Sequence, residues 1–425
     1  MNILIYEDDN WKNLTPLSYI RPVFELRCGF SSLLDKIVSI LPEKEIFLWV
    51  RDYLKELCKS KFSFKVNSEE FLKDDVLLIN GRWLVNKNIE FDFSEEIIYL
   101  KDGDVVYGII KKETLNKYWN GNIDEFVRNL LKNLKSKETD LTLIKYPWNL
   151  IHFNSEIIKY EFEKNKKSGI LGKVSDKAVI YGPEEKVYVG ENSEIYPFVV
   201  LDVTNGPIYI EKSVKIFPFS VIIGPAYIGE KTQIMPGAKI REGNSFGPVC
   251  RIGGEVEESI FHSYSNKYHD GFIGHSYIGE FVNLGALTTN SDLKNDYSNV
   301  SVYLNGKPID TGELKVGSFI GDHTKTSIGT LFNTGTIVGL MCNITSENIL
   351  PKYFPSFVWF VGGKFMKGYG LEYSLNTAKI AMERRDRILS KEEEEVIRKV
   401  YEITENERKT YIEKSRKKIK GGKNE

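Results

Sequence analysis

Three of the five histidines lie close together in the chain, at His262, His269 and His275. Histidine is the side chain best suited to accept a proton near neutral pH, so this segment is a candidate for general-base chemistry. The residues around His269 are rich in polar groups and interrupt a regular repeat. Gly271 and Gly274 follow His269, and we expect them to let a ligand approach the backbone there. His269 is therefore the first candidate for a catalytic base.

Clustered histidines also suggest a zinc site. The spacings are 7 between His262 and His269 and 6 between His269 and His275, which are not those of a helical zinc motif or of one containing paired cysteines. The four cysteines are far apart and are typical of thiols in a reducing compartment. We therefore expect no bound metal, and hydrogen-bonded structural histidines are the remaining alternative.

An apolar repeat of period six predicts the elements that position these residues. It runs through Ile210, Ile216, Ile222, Ile228, Ile234 and Ile240 and continues at Phe246 and Ile252. Six is the period of a short strand plus a turn, and three such units make one triangular coil of a solenoid. The pattern predicts a left-handed parallel β-helix of hexapeptide repeats rather than a β-sandwich. Residues 241–272 and 290–315 are less regular, and we expect loops or distorted coils there.

Glycine usage divides the chain into two architectures, with 5 glycines in residues 1–150 and 27 in residues 151–370. The first part alternates strand-like and helix-like segments, which predicts an α/β domain. The strand-like segments are Asn2–Glu7, Glu45–Val50 and Asp75–Asn80, and the helix-like ones are Phe30–Leu41 and Asn122–Leu134. The predicted units are an α/β domain over residues 1–165, the β-helix over residues 166–362, and a helical, charged tail over residues 363–425.

The tail becomes strongly charged and helical from about Leu375, through Ile388 and Leu389 and then Val396–Tyr411, and it ends in the basic run Lys414–Lys423. A charge run of this kind is usually a solvated helix that braces a neighbour.

The chain carries 58 basic and 59 acidic residues, so no global field points to nucleic acid or to a membrane as partner. The first residues turn acidic at once and do not form the pattern of a signal peptide. No run of about 18 apolar residues is present to span a bilayer. We expect a cytoplasmic protein.

The run from Arg251 to Asn295 strongly resembles the acyltransferase domain of the bifunctional N-acetylglucosamine-1-phosphate uridyltransferase/glucosamine-1-phosphate acetyltransferase family. It contains the motif VNLGA, at Val282–Ala286. The shorter branch of that family, with a sugar nucleotidyltransferase-like N-terminal domain, is also similar at residues 15–29 and 146–154. The resemblance covers residues 1–360 and implies a nucleotidyltransferase-like domain followed by a β-helix acyltransferase.

The resemblance also implies roles for single residues. His269 matches the general base that acts on the amine of glucosamine 1-phosphate, which then attacks the thioester of acetyl-coenzyme A. Asn283 matches a sugar-contacting asparagine, and the backbone of Ala286 should lie near the thioester. Arg241 matches an arginine that binds the sugar phosphate, and arginine can bind phosphate through two hydrogen bonds.

Two departures leave the acceptor open. A family lysine that also holds the phosphate is Glu257 here, which would repel it, and a family tyrosine is Phe272. Lys267 or Arg251 would have to compensate, and we take Lys267 as a further substrate-binding candidate.

The N-terminal half departs further from the resemblance. Strand one runs into Glu7-Asp8-Asp9 instead of a glycine-rich phosphate loop, and Arg82 stands where a magnesium-binding aspartate is expected. Nucleotidyl transfer would need Mg²⁺, which arginine does not ligate. Arg21 and Arg27 are the candidates for binding nucleotide phosphates, with structural salt bridges as the alternative.

The sequence therefore favours an enzyme of nucleotide-sugar synthesis that transfers an acetyl group from acetyl-coenzyme A to an amino-sugar 1-phosphate, as a homotrimer with coenzyme A along Lys315–Leu340. Nucleotidyl transfer to a sugar 1-phosphate by the N-terminal domain, with Mg²⁺ as cofactor, is a second activity that the resemblance implies. One alternative is a non-catalytic sugar-nucleotide-binding or assembly protein with decayed sites. Another is a β-helix resembling the gamma-type carbonic anhydrases, which need three zinc-binding histidines.

Overall fold

The computed structural model describes residues 1–165, 167–345 and 348–421, with side chains to residue 417. The N-terminal part is built on a seven-stranded mixed sheet flanked by helices. In chain order its strands are Asn2–Tyr6 (β1), Arg27–Cys28 (β2), Ser31–Ser32 (β3), Ile46–Trp49 (β4), Lys65–Val66 (β5), Val76–Asn80 (β6), Trp83–Leu84 (β7), Ile97–Lys101 (β8), Asp104–Ile110 (β9), Ser136–Glu138 (β10) and Thr142–Leu143 (β11). Besides the seven strands of the large sheet, the N-terminal part has the two-stranded sheets β2-β3 and β7-β11. Its helices are Leu33–Val38 (α1), Lys55–Lys61 (α2), Lys112–Tyr118 (α3), Ile123–Asn133 (α4) and Pro147–Asn165 (α5). The predicted α/β alternation is confirmed.

The order of the large sheet is β10-β8-β9-β6-β1-β4-β5. β1 pairs in parallel with β4 on one side and with β6 on the other. The chain leaves β1 toward β4 and β5 and then returns to β6, so the connections diverge between β1 and β6. Ligands of open α/β sheets usually bind outside the carboxyl ends of strands at such a point.

The central part is a parallel β-helix with three faces, which confirms the predicted solenoid. Face 1 contains Gly169–Ile170, Val187–Val189, Ile208–Ile210, Ala226–Ile228, Asn244–Phe246, Ile260–Phe261, Tyr277–Ile278, Ser318–Ile320, Thr336–Val338 and Tyr353–Phe354. Face 2 contains Lys173–Val174, Glu194–Ile195, Lys215–Ile216, Gln233–Ile234, Arg251–Ile252 and Asn266–Lys267, and it continues through Asn283 to Lys325–Thr326, Asn343–Thr345, Trp359–Val361 and the antiparallel Lys364–Met366. Face 3 contains Val179–Tyr181, Val200–Asp202, Val221–Ile223, Lys239–Ile240, Glu255–Glu257 and Phe272–Gly274, with Thr289–Asn290 paired to Leu331–Phe332 further along.

The period-six residues form the interior of this solenoid. Ile210, Ile228 and Phe246 stack in register on face 1, and the other members of the repeat stack likewise on faces 2 and 3. All eight side chains are at most 1% exposed. Because each coil consists of three repeats and contributes one strand to each face, a period of six places one apolar side chain inward per face.

The prediction of loops or distorted coils over residues 241–272 is only partly right. Regular strands continue there, but the coils are shorter: Phe246 pairs with Phe261, 15 positions on, and Val256 pairs with Ile273, 17 positions on. Shortened coils of this kind break the period of six while keeping the strands in register.

Residues 290–315 do leave the solenoid, as predicted. They carry the antiparallel hairpin Ser301–Leu304 and Lys307–Asp310. Val300 and Val302 are buried in the same hydrophobic cluster as the core of the N-terminal sheet. The side-chain amide of Asn305 donates to Asn13 at 2.8 Å. The excursion thus ties the β-helix to the N-terminal part.

Three C-terminal helices follow: Leu371–Glu383 (α6), Lys391–Ile403 (α7) and Glu405–Gly421 (α8). The predicted helical character of Ile388 and Leu389 is wrong, since both lie between α6 and α7, where the capping box of Ser390 and Glu393 starts a new helix. The predicted basic tail Lys414–Lys423 lies within α8 as far as Gly421, and its last two residues lie outside the described residues.

One hydrophobic cluster crosses the three predicted units. It joins the N-terminal sheet to Tyr277 and Phe319 on face 1 and to Leu375 of α6 and Val400 of α7. α6 and α7 therefore brace the β-helix through buried side chains. Among the described residues, none of the helices is both long and apolar enough to cross a membrane.

Candidate active site

A cleft of about 620 Å³ lies between face 2 of the β-helix and helix α6. Its volume is that of a small-molecule site. The residues that line it come from successive coils and from the C-terminal end of α6: Arg251, Tyr264, Asn266, Tyr268, His269, Phe281, Asn283, Leu284, Gly285, Ala286, Lys325, Thr326, Ser327, Ile328, Ala381, Arg384 and Arg385. Three sequence-predicted residues, His269, Asn283 and Ala286, are thus brought together.

The stacking of coils places these three residues. His269 follows the face 2 strand Asn266–Lys267 and stands at the corner leading to face 3. Asn283 lies in the next coil, directly beside Asn266 on face 2, and its side-chain oxygen accepts from the side-chain amide of Asn266 at 3.2 Å. Ala286 stands after Asn283 at the same corner, and its carbonyl accepts from the Gly329 amide at 2.8 Å. One coil therefore presents His269 at this corner, and the next coil presents Asn283 on face 2 and Ala286 at the corner.

The histidine itself is accessible. His269 is exposed in the cleft, and its ring makes an edge contact with Tyr268 at 5.0 Å between centroids. His275 lies at a different corner, where its Nδ1 is 2.8 Å from Asp292 Oδ2. His262 is buried against Glu280 and the Glu25 carbonyl. Only His269 of the three lines the cleft.

The glycines beside His269 serve the packing of the coils rather than the approach of a ligand. Gly271 has φ +118°, and a Cβ there would lie 2.3 Å from the carbonyl oxygen of Thr288 in the next coil. A Cβ at Gly274 would lie 2.5 Å from the Asp292 carboxylate. Gly271 needs glycine because its φ is positive and the backbone of the next coil occupies the space. At Gly274 a side chain would require the side chains of Asp292 and Phe272 to move.

The cleft is strongly basic. Arg251, Lys325, Arg384 and Arg385 line it, and no aspartate or glutamate stands among its described lining residues. Burial lowers the pKa of Lys325 to about 8, and its ammonium donates to the His323 carbonyl at 3.1 Å. Cations gathered without carboxylates in a partly buried cleft favour an anionic ligand.

Lys267 does not line the cleft, contrary to its predicted role in binding substrate. It occupies the inward position of face 2 in register with Ile252, and it is 1% exposed. Its ammonium donates to the carbonyls of Gly253 and His269, and burial lowers its pKa to about 8. Lys267 therefore braces the backbone that carries His269.

Arg241 also lies apart from the cleft. It follows the face 3 strand Lys239–Ile240 and stands toward face 1, whereas His269 stands between faces 2 and 3. Its guanidinium is 2.8 Å from the carboxylate of Glu257, which also pairs with Lys315 at 3.2 Å. Within one chain, the predicted phosphate-binding arginine and the predicted base are not brought together.

The two arginines proposed for nucleotide phosphates hold the parts of the protein together. Arg21 is 3% exposed and pairs with Asp322 at 2.6 Å and with Glu280 at 3.3 Å. The backbone amide of Arg27 donates to the Tyr277 hydroxyl at 2.9 Å, and its guanidinium lies over the Tyr227 ring. Arg21 therefore forms structural salt bridges, the alternative to nucleotide binding, and these bridges join the N-terminal part to the β-helix because both carboxylates belong to the β-helix.

The edge between β1 and β6 does not fit a magnesium ion. Arg82 is fully buried there, 2.6 Å from Asp8 and 3.1 Å from Asp104, and it donates to the Ile144 carbonyl at 2.9 Å. Burial alone would lower the pKa of Arg82, but the two aspartates raise it. The carboxylates that would ligate Mg²⁺ are thus neutralised by a permanent cation. No group of three or more metal-ligating side chains occurs among the described residues.

Sequence reasoning singled out none of the lining cations Lys325, Arg384 and Arg385, although Lys325 lies within the segment Lys315–Leu340 predicted to run along coenzyme A. The arginines belong to the run Arg384-Arg385-Asp386-Arg387, which the charge pattern alone assigns to a solvated helix. The sequence signal for them is a run of three arginines within four residues directly after the last residue of α6, Glu383.

The structure thus joins a parallel β-helix with a basic cleft to a mixed α/β sheet, and comparison with known proteins finds transferases among those that the chain resembles. Residues 3–168 match the family model described as sugar nucleotidyl transferase. The predicted resemblance to bifunctional nucleotidyltransferase/acetyltransferase proteins is thereby confirmed for this part of the chain, and the relatives extend it.

One relative is the bifunctional sugar-1-phosphate nucleotidylyltransferase/acetyltransferase of Sulfurisphaera tokodaii, 32% identical over 50% of this chain and 49% of that protein. Another is the bifunctional protein GlmU of Methanococcus maripaludis strain C7, 26% identical over 76% of this chain and 82% of that protein. The match with the first of these spans about half of the relative's length. Among solved structures, a UDP-N-acetylglucosamine acyltransferase of Francisella novicida aligns at 17% identity with a TM-score of 0.29, over 58% of this chain and 87% of that one.

Proposed function

We propose that the β-helix transfers an acyl group from acyl-coenzyme A to the amino group of an amino-sugar phosphate, with His269 as the general base, and that the chain takes part in nucleotide-sugar synthesis. The observation that carries the proposal is the convergence of His269, Asn283 and Ala286 in one basic cleft. Names of relatives that include acetyltransferase support the reaction type.

The proposed step is an acyl transfer through a tetrahedral intermediate. The amine nitrogen attacks the thioester carbonyl carbon, the carbon–sulfur bond breaks, and coenzyme A leaves as a thiolate, which then receives the proton held by His269 and becomes the free thiol. His269 takes the proton that the nitrogen loses, because a neutral imidazole within hydrogen-bond reach can accept it. Asn283, 3.2 Å from the Asn266 amide, holds the acceptor at the same corner. The products are the N-acyl sugar phosphate and free coenzyme A.

Release of free thiol tests this function directly. The protein is incubated with acetyl-coenzyme A and a series of amino-sugar phosphates, and the expected result is thiol release that depends on one of these acceptors. The matching sugars without an amino group are the control, because they offer no nucleophilic nitrogen. Thiol release that is no faster with amino sugars than with these controls would contradict acyl transfer and favour a binding or assembly role.

A second candidate function is nucleotidyl transfer, which the family match over residues 3–168 favours. Arg82 between Asp8 and Asp104 counts against a magnesium-dependent reaction at the β1–β6 edge. Pyrophosphate release from a nucleoside triphosphate and a sugar 1-phosphate is the corresponding assay.

We also expect a homotrimer, or a multiple of one, because solenoids of this type usually cover one face by association. Apolar side chains on face 3 and at its corners are exposed, among them Val179, Phe219, Leu331 and Ile349. Sedimentation equilibrium should give three times the chain mass of 48.8 kDa. A monomer with intact acyl transfer would contradict this expectation.

A further inference from the structure

Two arginines at the end of α6 enter the cleft from outside the β-helix. Arg384 is the C-terminal cap residue of α6, and Arg385 follows it. Arg385 donates through Nη2 to the Asn266 side-chain oxygen at 3.1 Å. Its Nε is buried and has no hydrogen-bond partner among the described residues. An unsatisfied, buried guanidinium nitrogen is costly unless a ligand completes its bonding.

The surroundings of Arg385 contain cations instead of carboxylates. Burial, and then the neighbouring Arg251 and Arg384, lower the pKa of Arg385. The negative end of the helix dipole at the C-terminus of α6 would account for one nearby cation. It does not explain the convergence of Arg251 from face 2 with two arginines from α6. Another arginine of the same segment is neutralised, since Arg387 pairs with Glu393 at 3.1 Å.

We propose that Arg384 and Arg385, which follow the last residue of α6, together with Arg251, bind the phosphate group of the acceptor. We call Arg251, Arg384 and Arg385 the arginine clamp. The identity of the acceptor rests on the proposed acyl transfer, but phosphate binding by the clamp can be tested without catalysis. Guanidinium groups bind phosphate oxygens through paired hydrogen bonds, and several together accommodate a dianion. The clamp takes the role that sequence resemblance gave to Arg241, whose charge Glu257 neutralises.

The position of the clamp favours the acceptor over coenzyme A as the source of the phosphate. Arg385 contacts Asn266, which lies in the same coil as His269 and only three residues before it. The acceptor amine must reach His269. Ala286, where the resemblance places the thioester, and Ile328 belong to the following coils. A phosphate held by Arg385 therefore lies at the His269 end of the cleft.

Binding measured by calorimetry tests the clamp independently of turnover. The titrants are glucosamine 1-phosphate, glucosamine and coenzyme A, and inorganic phosphate is a second phosphate probe. The full-length Arg385→Gln and Arg384→Gln proteins should bind glucosamine 1-phosphate roughly 10- to 100-fold more weakly than wild type, because each loses a charge-assisted contact. Binding of coenzyme A should be unchanged. Arg385→Lys, which keeps the charge but not the paired hydrogen bonds, should show a smaller loss.

Lys379→Gln is the matched control, since Lys379 is an exposed cation of the same helix that pairs with Glu394 and does not line the cleft. It should bind glucosamine 1-phosphate like wild type. The clamp is overturned if the arginine variants weaken coenzyme A instead of the sugar phosphate, if Arg241→Gln alone weakens the sugar phosphate, or if neither phosphate probe binds the wild type. Clamp-dependent binding without any thiol release would instead refute the proposed acyl transfer and leave the clamp standing.

Discussion

Replacing His269 by alanine should lower the rate of acyl transfer by roughly 10²–10⁴-fold, the usual contribution of a general base. Affinity for coenzyme A should be nearly unchanged, because only the removal of the acceptor's proton is lost. Wild-type activity should also fall as the solution is acidified, since an imidazolium ion has no lone pair to accept a proton. Turnover and the concentration of coenzyme A at half-saturation are the two quantities to measure.

The structure provides a control histidine for this experiment. His275 lies at another corner of the β-helix, where Asp292 binds its ring, and it does not line the cleft. His275→Ala should lower thermal stability through the lost hydrogen bond, while turnover per folded molecule stays close to that of wild type. A folded His269→Ala protein that keeps more than about a third of wild-type turnover would rule out the general-base role, because the loss is then far below that expected.

Replacing Ile222 by aspartate should prevent stable folding of the β-helix. Ile222 is fully buried on face 3 and stacks in register between Leu201 and Ile240. An unpaired carboxylate in this interior costs several kcal/mol, which is comparable to the whole free energy of unfolding of a domain. We expect insoluble protein or a melting temperature lower by roughly 10 °C or more.

The neighbouring residue provides a matched control. Val221 belongs to the same strand but points outward, is 36% exposed and is in register with Lys239. Because face 3 also carries the exposed apolar side chains that we expect between subunits, the comparison is made on separated chains, where Val221→Asp should change the free energy of unfolding by about 0.5 kcal/mol or less. Near-native melting of the Ile222→Asp protein would mean that this side chain tolerates contact with water, which is incompatible with its buried position.

The fold was predictable wherever a local period reports a burial pattern. The isoleucines from Ile210 to Ile240 recur with a period of six because each regular coil consists of three repeats, one for each face. The sequence repeat therefore shows directly which side chains stack inside the β-helix. In the N-terminal part, the predicted strands Asn2–Glu7 and Asp75–Asn80 correspond to β1 and β6. Over residues 241–272 the coils become shorter. The period is then lost although the strands persist, and the sequence pattern no longer reports them.

The candidate site divides in the same way. The roles of His269, Asn283 and Ala286 follow from the resemblance of the single run Arg251–Asn295, and the three residues meet because the coil that carries Asn283 and Ala286 stacks on the coil that carries His269. The predicted role of Lys267 is wrong because its side chain points into the β-helix, in register with Ile252. Its position in the sequence motif does not reveal this orientation. Whether a polar residue faces inward depends on the local coil length.

By itself, the sequence determined the solenoid, the α/β character of the first part, and the corner that carries His269, because each depends on residues near one another along the chain. Only the tertiary structure decided which charges are free. Arg21 and Arg82 are neutralised by carboxylates 301 and 74 positions away, and Arg385 reaches a cleft where its contact, Asn266, is 119 positions away. The strength of an ion pair depends on distance and burial in space. No local pattern of residue types records either quantity across such separations.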